Sequence, residues 1–183
     1  MKMNNMNKSF TKQLLLSVSF LFALNIVNAQ TAPTPKSPAA TATGTLKSGA
    51  NITIKYSSPS VRDRKIWGGL VPFDSIWRAG ANNATQIEVD KDVKIADKVL
   101  TAGKYTIYMI PTEKKCTVIF SSQTGQPGMN HDGSSTFDKT KEVLRGQAAA
   151  KKSKEFKESL LYTVTGKGIV LSWENLDIIL SIK

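Results

Sequence analysis

Three arginines and two tryptophans crowd residues 62–78 as Arg62, Arg64, Trp67, Trp77 and Arg78, and the turn formers Gly80, Asn82 and Asn83 follow at once. A guanidinium carries five donors in one plane and stacks on aromatic faces. Arg62, Arg64 and Arg78 beside Trp67 and Trp77, with the Asn82 amide, therefore have the chemistry to clamp a carboxylate, a phosphate or a sugar ring. The same residue types also brace a fold, because Trp fills core volume in β-sandwiches and Arg ties long loops down by donating to backbone carbonyls. Both roles fit this stretch. Gly80 with Asn82 and Asn83 suits a turn with positive φ, which accounts for the switch from loop to strand without any ligand.

Other chemistry finds less support. The single histidine, His131, precedes Asp132 in a Gly- and Ser-rich loop where the pair would form an oriented base. A hydrolase also needs a nucleophile in a recognisable setting, and the chain has no Gly-x-Ser-x-Gly elbow. We assign no catalytic residue. One His, one Cys and scattered carboxylates give no ligand spacing for a metal, so neither a metal site nor a cofactor is expected. Asp132, Asp138, Glu174 and Asp177 show no spacing that predicts a facing carboxyl pair for glycoside hydrolysis.

The elements that must position these residues are strands. From Asn51 onward apolar residues recur at every second position: Ile52, Ile54 and Tyr56; Thr85, Ile87 and Val89; Tyr105, Ile107 and Met109. Residues 116–120, 160–164, 169–173 and 178–182 continue the alternation, separated by turn formers. The pattern predicts a mainly β fold, an antiparallel β-sandwich of about eight or nine strands. The tract at 145–161 is rich in Ala, Lys and Glu, good helix formers, and is the one place where a short helix competes with strand. Cys116 is in phase with Val118 and Phe120, which predicts a small buried hydrophobe rather than a reactive thiol.

Residues 1–29 carry Lys2, Lys8 and Lys12 without an acid, then an apolar run at 14–26, then Val27-Asn28-Ala29. That is the layout of a secretory signal cleaved before Gln30, and the run is short of the roughly 20 residues that cross a bilayer. No other segment is long and apolar enough to span one, so the mature chain is expected to have no transmembrane segment. Residues 30–43, poor in large apolar groups and rich in Pro, Ala and Thr, predict a flexible tether ahead of one domain at 44–183. With a single cysteine, no internal disulfide can form, and packing must hold the domain. The net charge of +11 would suggest nucleic acid, but an exported protein does not meet that partner. Residues 139–157 hold seven Lys or Arg against two Glu. That flank is either simply solvated or meets an anionic envelope surface.

Joined motifs carry a family likeness. They are Tyr-Ser-x-Pro-x-x-Arg-x-Arg at 56–64, Gly-Leu-Val-Pro at 69–72, Trp-Arg-x-Gly-Ala-Asn-x-Ala-Thr at 77–85, Ala-Gly-x-Tyr at 102–105 through Ile110-Pro111, and Trp-Glu-Asn at 173–175. In these the chain resembles the DUF2911 proteins, exported domains of unknown function found mostly in the Bacteroidetes lineage. The resemblance covers about 43–183 and implies no chemistry. Cys116, where an aromatic is common, and the Ala- and Lys-rich tract at 147–157 depart from the family pattern. The expectation is an exported envelope protein, periplasmic, associated with the outer membrane or secreted. Its first functional reading is a non-catalytic module that binds a small anionic or glycan ligand through Arg62, Arg64, Trp67, Trp77, Arg78 and Asn82. The alternatives are a structural or protein-interaction module, and a hydrolase using His131 and Asp132. The sequence leaves the oligomeric state open.

Overall fold

The computed structural model describes residues 36–183. The secretory signal expected at 1–29 and the start of the expected tether lie outside the described residues. Among the described residues period-two alternation is realised as nine strands: β1 (Ala39–Thr45), β2 (Asn51–Ser57), β3 (Gln86–Val89), β4 (Val93–Ile95), β5 (Lys98–Leu100), β6 (Gly103–Pro111), β7 (Lys115–Ser121), β8 (Glu142–Thr165) and β9 (Gly168–Ser181). A 3-10 turn at Lys139–Lys141 leads into β8. Seven strands form one antiparallel sheet in the order β1-β2-β3-β6-β7-β8-β9, and β4 with β5 makes a separate hairpin. The mainly β, antiparallel architecture expected from the sequence is present, as a sheet that curls upon itself.

The curl comes from bends in the two longest strands. The first half of β8 pairs with β7 and with the end of β9. Register shifts between Lys152 and Lys157 and between Lys157 and Leu161 then redirect the second half, which pairs with the start of β9. That half leans over the exit of β2, where Leu160 N donates to Pro59 O at 2.9 Å and Val61 N to Glu158 O at 2.7 Å. It also covers β1, so closely that a Cβ on Gly44 would stand 2.8 Å from Val164 Cβ. Enclosed between the facing halves is a core that includes Ile54, Ile107, Phe120 and Trp173, all buried.

Three sequence expectations need correction. Residues 145–161 are strand, not helix: Leu144, Gly146 and Ala148 face inward while Arg145, Gln147 and Ala149 face out. The inward side must be small, because a Cβ on Gly146 would lie 2.6 Å from Ile95 Cγ2. Ladder bonding, to β7 in the first half and to β9 in the second, and this packing override the helix propensity of Ala, Lys and Glu. Residues 39–43 are not tether but part of β1, paired to β2 from Ala39↔Ser57 to Thr45↔Asn51. Their small side chains suit the close approach to β8. Finally, 169–173 and 178–181 belong to one bent strand, whose phase slips at Glu174, φ 54°.

Cys116 is fully buried in the core with Val118 and Phe120. Burial pushes its thiol pKa up to about 12, so it is a packing group. On the opposite face of β6 and β7, Tyr108 and Ile119 are buried beneath Ala84, Ile76 and Phe137. The loops at 58–85 and 122–137 that cover this side of the sheet are the ones that build the site.

Candidate functional site

The segment carrying Trp77 and Arg78 is pinned before any ligand arrives. Trp77 and Met109 exchange both backbone hydrogen bonds at 2.8 Å, Asp74 N donates to Pro111 O at 2.9 Å, and Ile107 N donates to Thr85 O at 2.8 Å. Arg78 O accepts from Thr85 N at 3.2 Å. The next residue, Ala79, is buried with φ 57°, and its carbonyl accepts from both Thr85 Oγ1 and Tyr162 Oη at 2.9 Å. From the other side the 122–137 loop closes down, with Gly128 N on Asn82 O and Ala84 N on Gln126 O, each at 3.3 Å. Gly128 has no room for a side chain, because a Cβ there would lie 2.0 Å from Arg78 Cδ. The methylene stem of Arg78 is thereby fixed against the loop.

Together these segments line a cleft of about 440 Å³, within the range of small-molecule sites. Five of the residues expected from the sequence, Arg62, Arg64, Trp77, Arg78 and Asn82, are brought to it, with Lys36, Leu70, Met129 and Trp173. Trp67 is not on the lining. It stands behind as a buried buttress, edge-on to Trp77 at 5.8 Å and to Trp173 at 6.1 Å, and its Nε1 donates to Trp173 O at 3.2 Å. Trp77 and Trp173 stack with centroids 6.1 Å apart and planes 17° from parallel. All three tryptophans of the chain are therefore in this cluster.

The polar groups divide sharply. Arg64 donates from Nε to Val61 O at 3.0 Å and from Nη2 to Ser60 O at 2.6 Å, and Arg62 donates from Nη2 to Lys36 O at 2.6 Å. Asn82 Nδ2 donates to Ser37 O and Ser57 Oγ at 3.3 and 3.2 Å. These three brace the loops. Arg78 and Trp173 do not: Arg78 Nε and Trp173 Nε1 are buried without a partner. Desolvation lowers the Arg78 pKa, with no opposing charge to offset it. Among the described residues, the lining has four cationic side chains and no carboxylate. Such a cleft has donors and positive charge in excess and can take an acceptor-rich, negatively charged guest.

Backbone strain gathers at the same place. Of seven non-glycine residues with positive φ among the described residues, Arg62, Asp63, Ala79, Asn82 and Glu174 lie on the cleft or next to a residue that lines it. Conformations of this kind persist only where surrounding bonds over-determine them, and they concentrate at functional sites.

Other candidates are less built. The Asp132 carboxylate is engaged by Ser134, accepting from its N at 2.9 Å and its Oγ at 2.6 Å, and these bonds hold its pKa low. The aspartate closes its own turn rather than orienting His131. Among the described residues no three His, Cys, Asp or Glu side chains gather to hold a metal. A second cleft, of about 410 Å³ along the β8 bulge, contains Asp177, whose buried Oδ1 has no partner. Lys151 stands directly across the ladder from it, so a change of lysine rotamer can satisfy that acceptor.

Residues 37–182 match the family described as Protein of unknown function (DUF2911). The chain belongs to the DUF2911 family. No curated protein and no solved structure matches it. In this DUF2911 domain the sequence reading missed Trp173, which lies 95 positions beyond Arg78 and reaches the cleft only through the bend of β9. One signal was present: buried residues fall on odd positions at Ile169, Leu171 and Trp173 and on even ones at Ile178, Leu180 and Ile182. Such a slip in phase marks a bulge at Glu174. Gly128, Leu70 and Met129 gave no comparable signal.

Proposed function

We propose that this DUF2911 domain is a non-catalytic binding module for a small anionic ligand, held in the cleft by Arg78 and walled by Trp77 and Trp173. The observation that carries the reading is the pair of buried, unpartnered donors, Arg78 Nε and Trp173 Nε1, in a cleft whose described lining has no carboxylate. Buried polar atoms nearly always find partners, and two buried donors without one, on two residues that line the same cleft, favour an incoming acceptor. An anion fits better than a neutral sugar, because the Asn82 amide nitrogen that would read hydroxyls is already bonded within the loop. Arg62 and Arg64 act chiefly as frame, and their charge steers the ligand. The leader-like residues 1–29 support export and a role in the periplasm, at the outer membrane or outside the cell. Among the described residues no helix is long and apolar enough to cross a membrane.

Because every tryptophan lies in this cluster, intrinsic fluorescence reads the site directly. Titrating the purified protein with acetate, phosphate and sulfate should give a saturable change with at least one of them, lost in Arg78→Met while the circular dichroism spectrum is unchanged. Equal binding by Arg78→Met, or no response to any anion at millimolar concentration, defeats the reading.

A further inference from the structure

The geometry points to an amphipathic anion as the ligand: an acidic head group at Arg78 joined to an apolar chain or ring that lies on Leu70 and Met129. This rests on the anion-binding reading above and names the class of molecule. Six large hydrophobic residues are exposed among the described residues, and two of them, Leu70 at 48% and Met129 at 44%, line this one cleft. They come from separate loops, brought together beside the half-buried Trp77. Isolated exposed apolar residues are ordinary, but two on the lining of one cleft with an aromatic wall give that cleft an apolar part. Methionine also adapts its shape to guests of varied outline.

The two halves of the lining make simpler guests weaker ligands. A wholly polar anion, such as inorganic phosphate or an acidic sugar, would leave Leu70 and Met129 in water or set hydroxyls against them without partners. The frame arginines cannot readily turn to meet those hydroxyls, since Arg62 and Arg64 are bonded to backbone carbonyls. A wholly apolar guest would bring no acceptor to Arg78 Nε and Trp173 Nε1, already buried without one, and would strip water from the rest of the half-buried guanidinium, which is unfavourable. A head that accepts hydrogen bonds, carried on an apolar body, satisfies both halves, and about 440 Å³ accommodates the two together.

The test is a set of tryptophan-fluorescence titrations of the purified protein with acetate, octanoate, hydrocinnamate and octan-1-ol. Octanoate or hydrocinnamate should bind roughly 50-fold more tightly than acetate, the worth of about three buried methylenes. Whichever of the two binds more tightly distinguishes a flexible chain from a ring. Octan-1-ol should bind far more weakly than octanoate. Leu70→Gln with Met129→Gln, both at exposed positions and so safe for folding, should remove most of the advantage over acetate. If acetate binds as tightly as octanoate and hydrocinnamate, or if the double variant keeps the full advantage, the amphipathic assignment falls while anion binding stands. If octan-1-ol matches octanoate and still binds Arg78→Met, or if no anion binds, both readings fall.

Discussion

Replacing Arg78 with Met separates a binding residue from a bracing one by the sign of a stability change. The Met side chain keeps most of the methylene stem that packs against Gly128, while the charge and the unpartnered Nε disappear. Burying a donor without a partner costs about 1–3 kcal/mol. Arg78 is only half-buried, so the low end applies, and Arg78→Met should stabilise the protein by about 1 kcal/mol. For a domain of this length that is a rise in Tm of about 3 °C. Arg64→Met is the matched control, since the Arg64 guanidinium donates to Ser60 O and Val61 O. Removing those bonds on the exposed loop should cost about 0.5–1 kcal/mol and lower Tm by about 2 °C. Calorimetric or circular-dichroism melts at neutral pH, in a buffer without phosphate or carboxylate, measure both. A fall in Tm for Arg78→Met equal to that of Arg64→Met would show that Arg78 has structural partners, and the binding argument built on it would collapse.

Gly128→Ala places a methyl on the Arg78 stem and should weaken anion binding at least tenfold without changing the charge of the cleft, measured by fluorescence titration. Asp90, held below the usual carboxylate range by the Asn51 backbone N–H and then its side-chain amide, and Glu142, held down by Arg145, bind protons less readily in the folded state. Their contribution is complete above the unfolded carboxylate values near pH 4 and is lost as pH falls through the folded ones, so Tm should be flat from about pH 7 to pH 5 and drop below about pH 4. Asp90→Ala with Glu142→Ala should make that acid limb shallower, while Asp132 and Asp138, held low by Ser134 and Thr140, keep their share. At the other extreme, burial raises the pKa of Cys116 to about 12 and that of Tyr162 well above its usual value. Stability from these neutral groups is whole below the unfolded thiol pKa near about 8.5 and is lost as pH climbs toward the folded values. Melts between about pH 8 and pH 11 should show that decline, and iodoacetamide at about pH 9 should label Cys116 only after denaturant is added.

Much of the sheet was legible because burial on one face imposes period two. Ile52, Ile54 and Tyr56, or Cys116, Val118 and Phe120, have no other economical reading. The tract at 145–161 misled for a physical reason: its inward positions hold Gly146 and Ala148 where a neighbouring hairpin leaves no volume, and small residues erase the contrast on which alternation depends. The sequence also brought forward these arginines and tryptophans with Asn82, and five of those six residues do line one cleft. What it could not rank was which guanidinium is free. That depends on the acceptors the fold places around each one, not on residue type.

Those acceptors follow from local backbone form. At 61–64 the positive φ of Arg62 and Asp63 makes a turn that leaves the Ser60 and Val61 carbonyls within reach, and Arg64 takes both. At 77–79 the chain pairs with β6 instead, and three consecutive carbonyls are already occupied. Trp77 O accepts from Met109 N, Arg78 O from Thr85 N, and Ala79 O from Thr85 Oγ1 and Tyr162 Oη. A guanidinium on that segment finds its nearest backbone acceptors taken, and its stem is held in place by Gly128. The donor excess of the cleft is thus a product of strand pairing, and it divides labour between like residues: variants at Arg64 should cost stability and lower affinity only by the loss of one steering charge, and variants at Arg78 should abolish binding and spare stability. A single substitution that both costs stability and abolishes binding would mean that frame and site are one unit, and that the cleft is held open only by the contacts a ligand would have to replace.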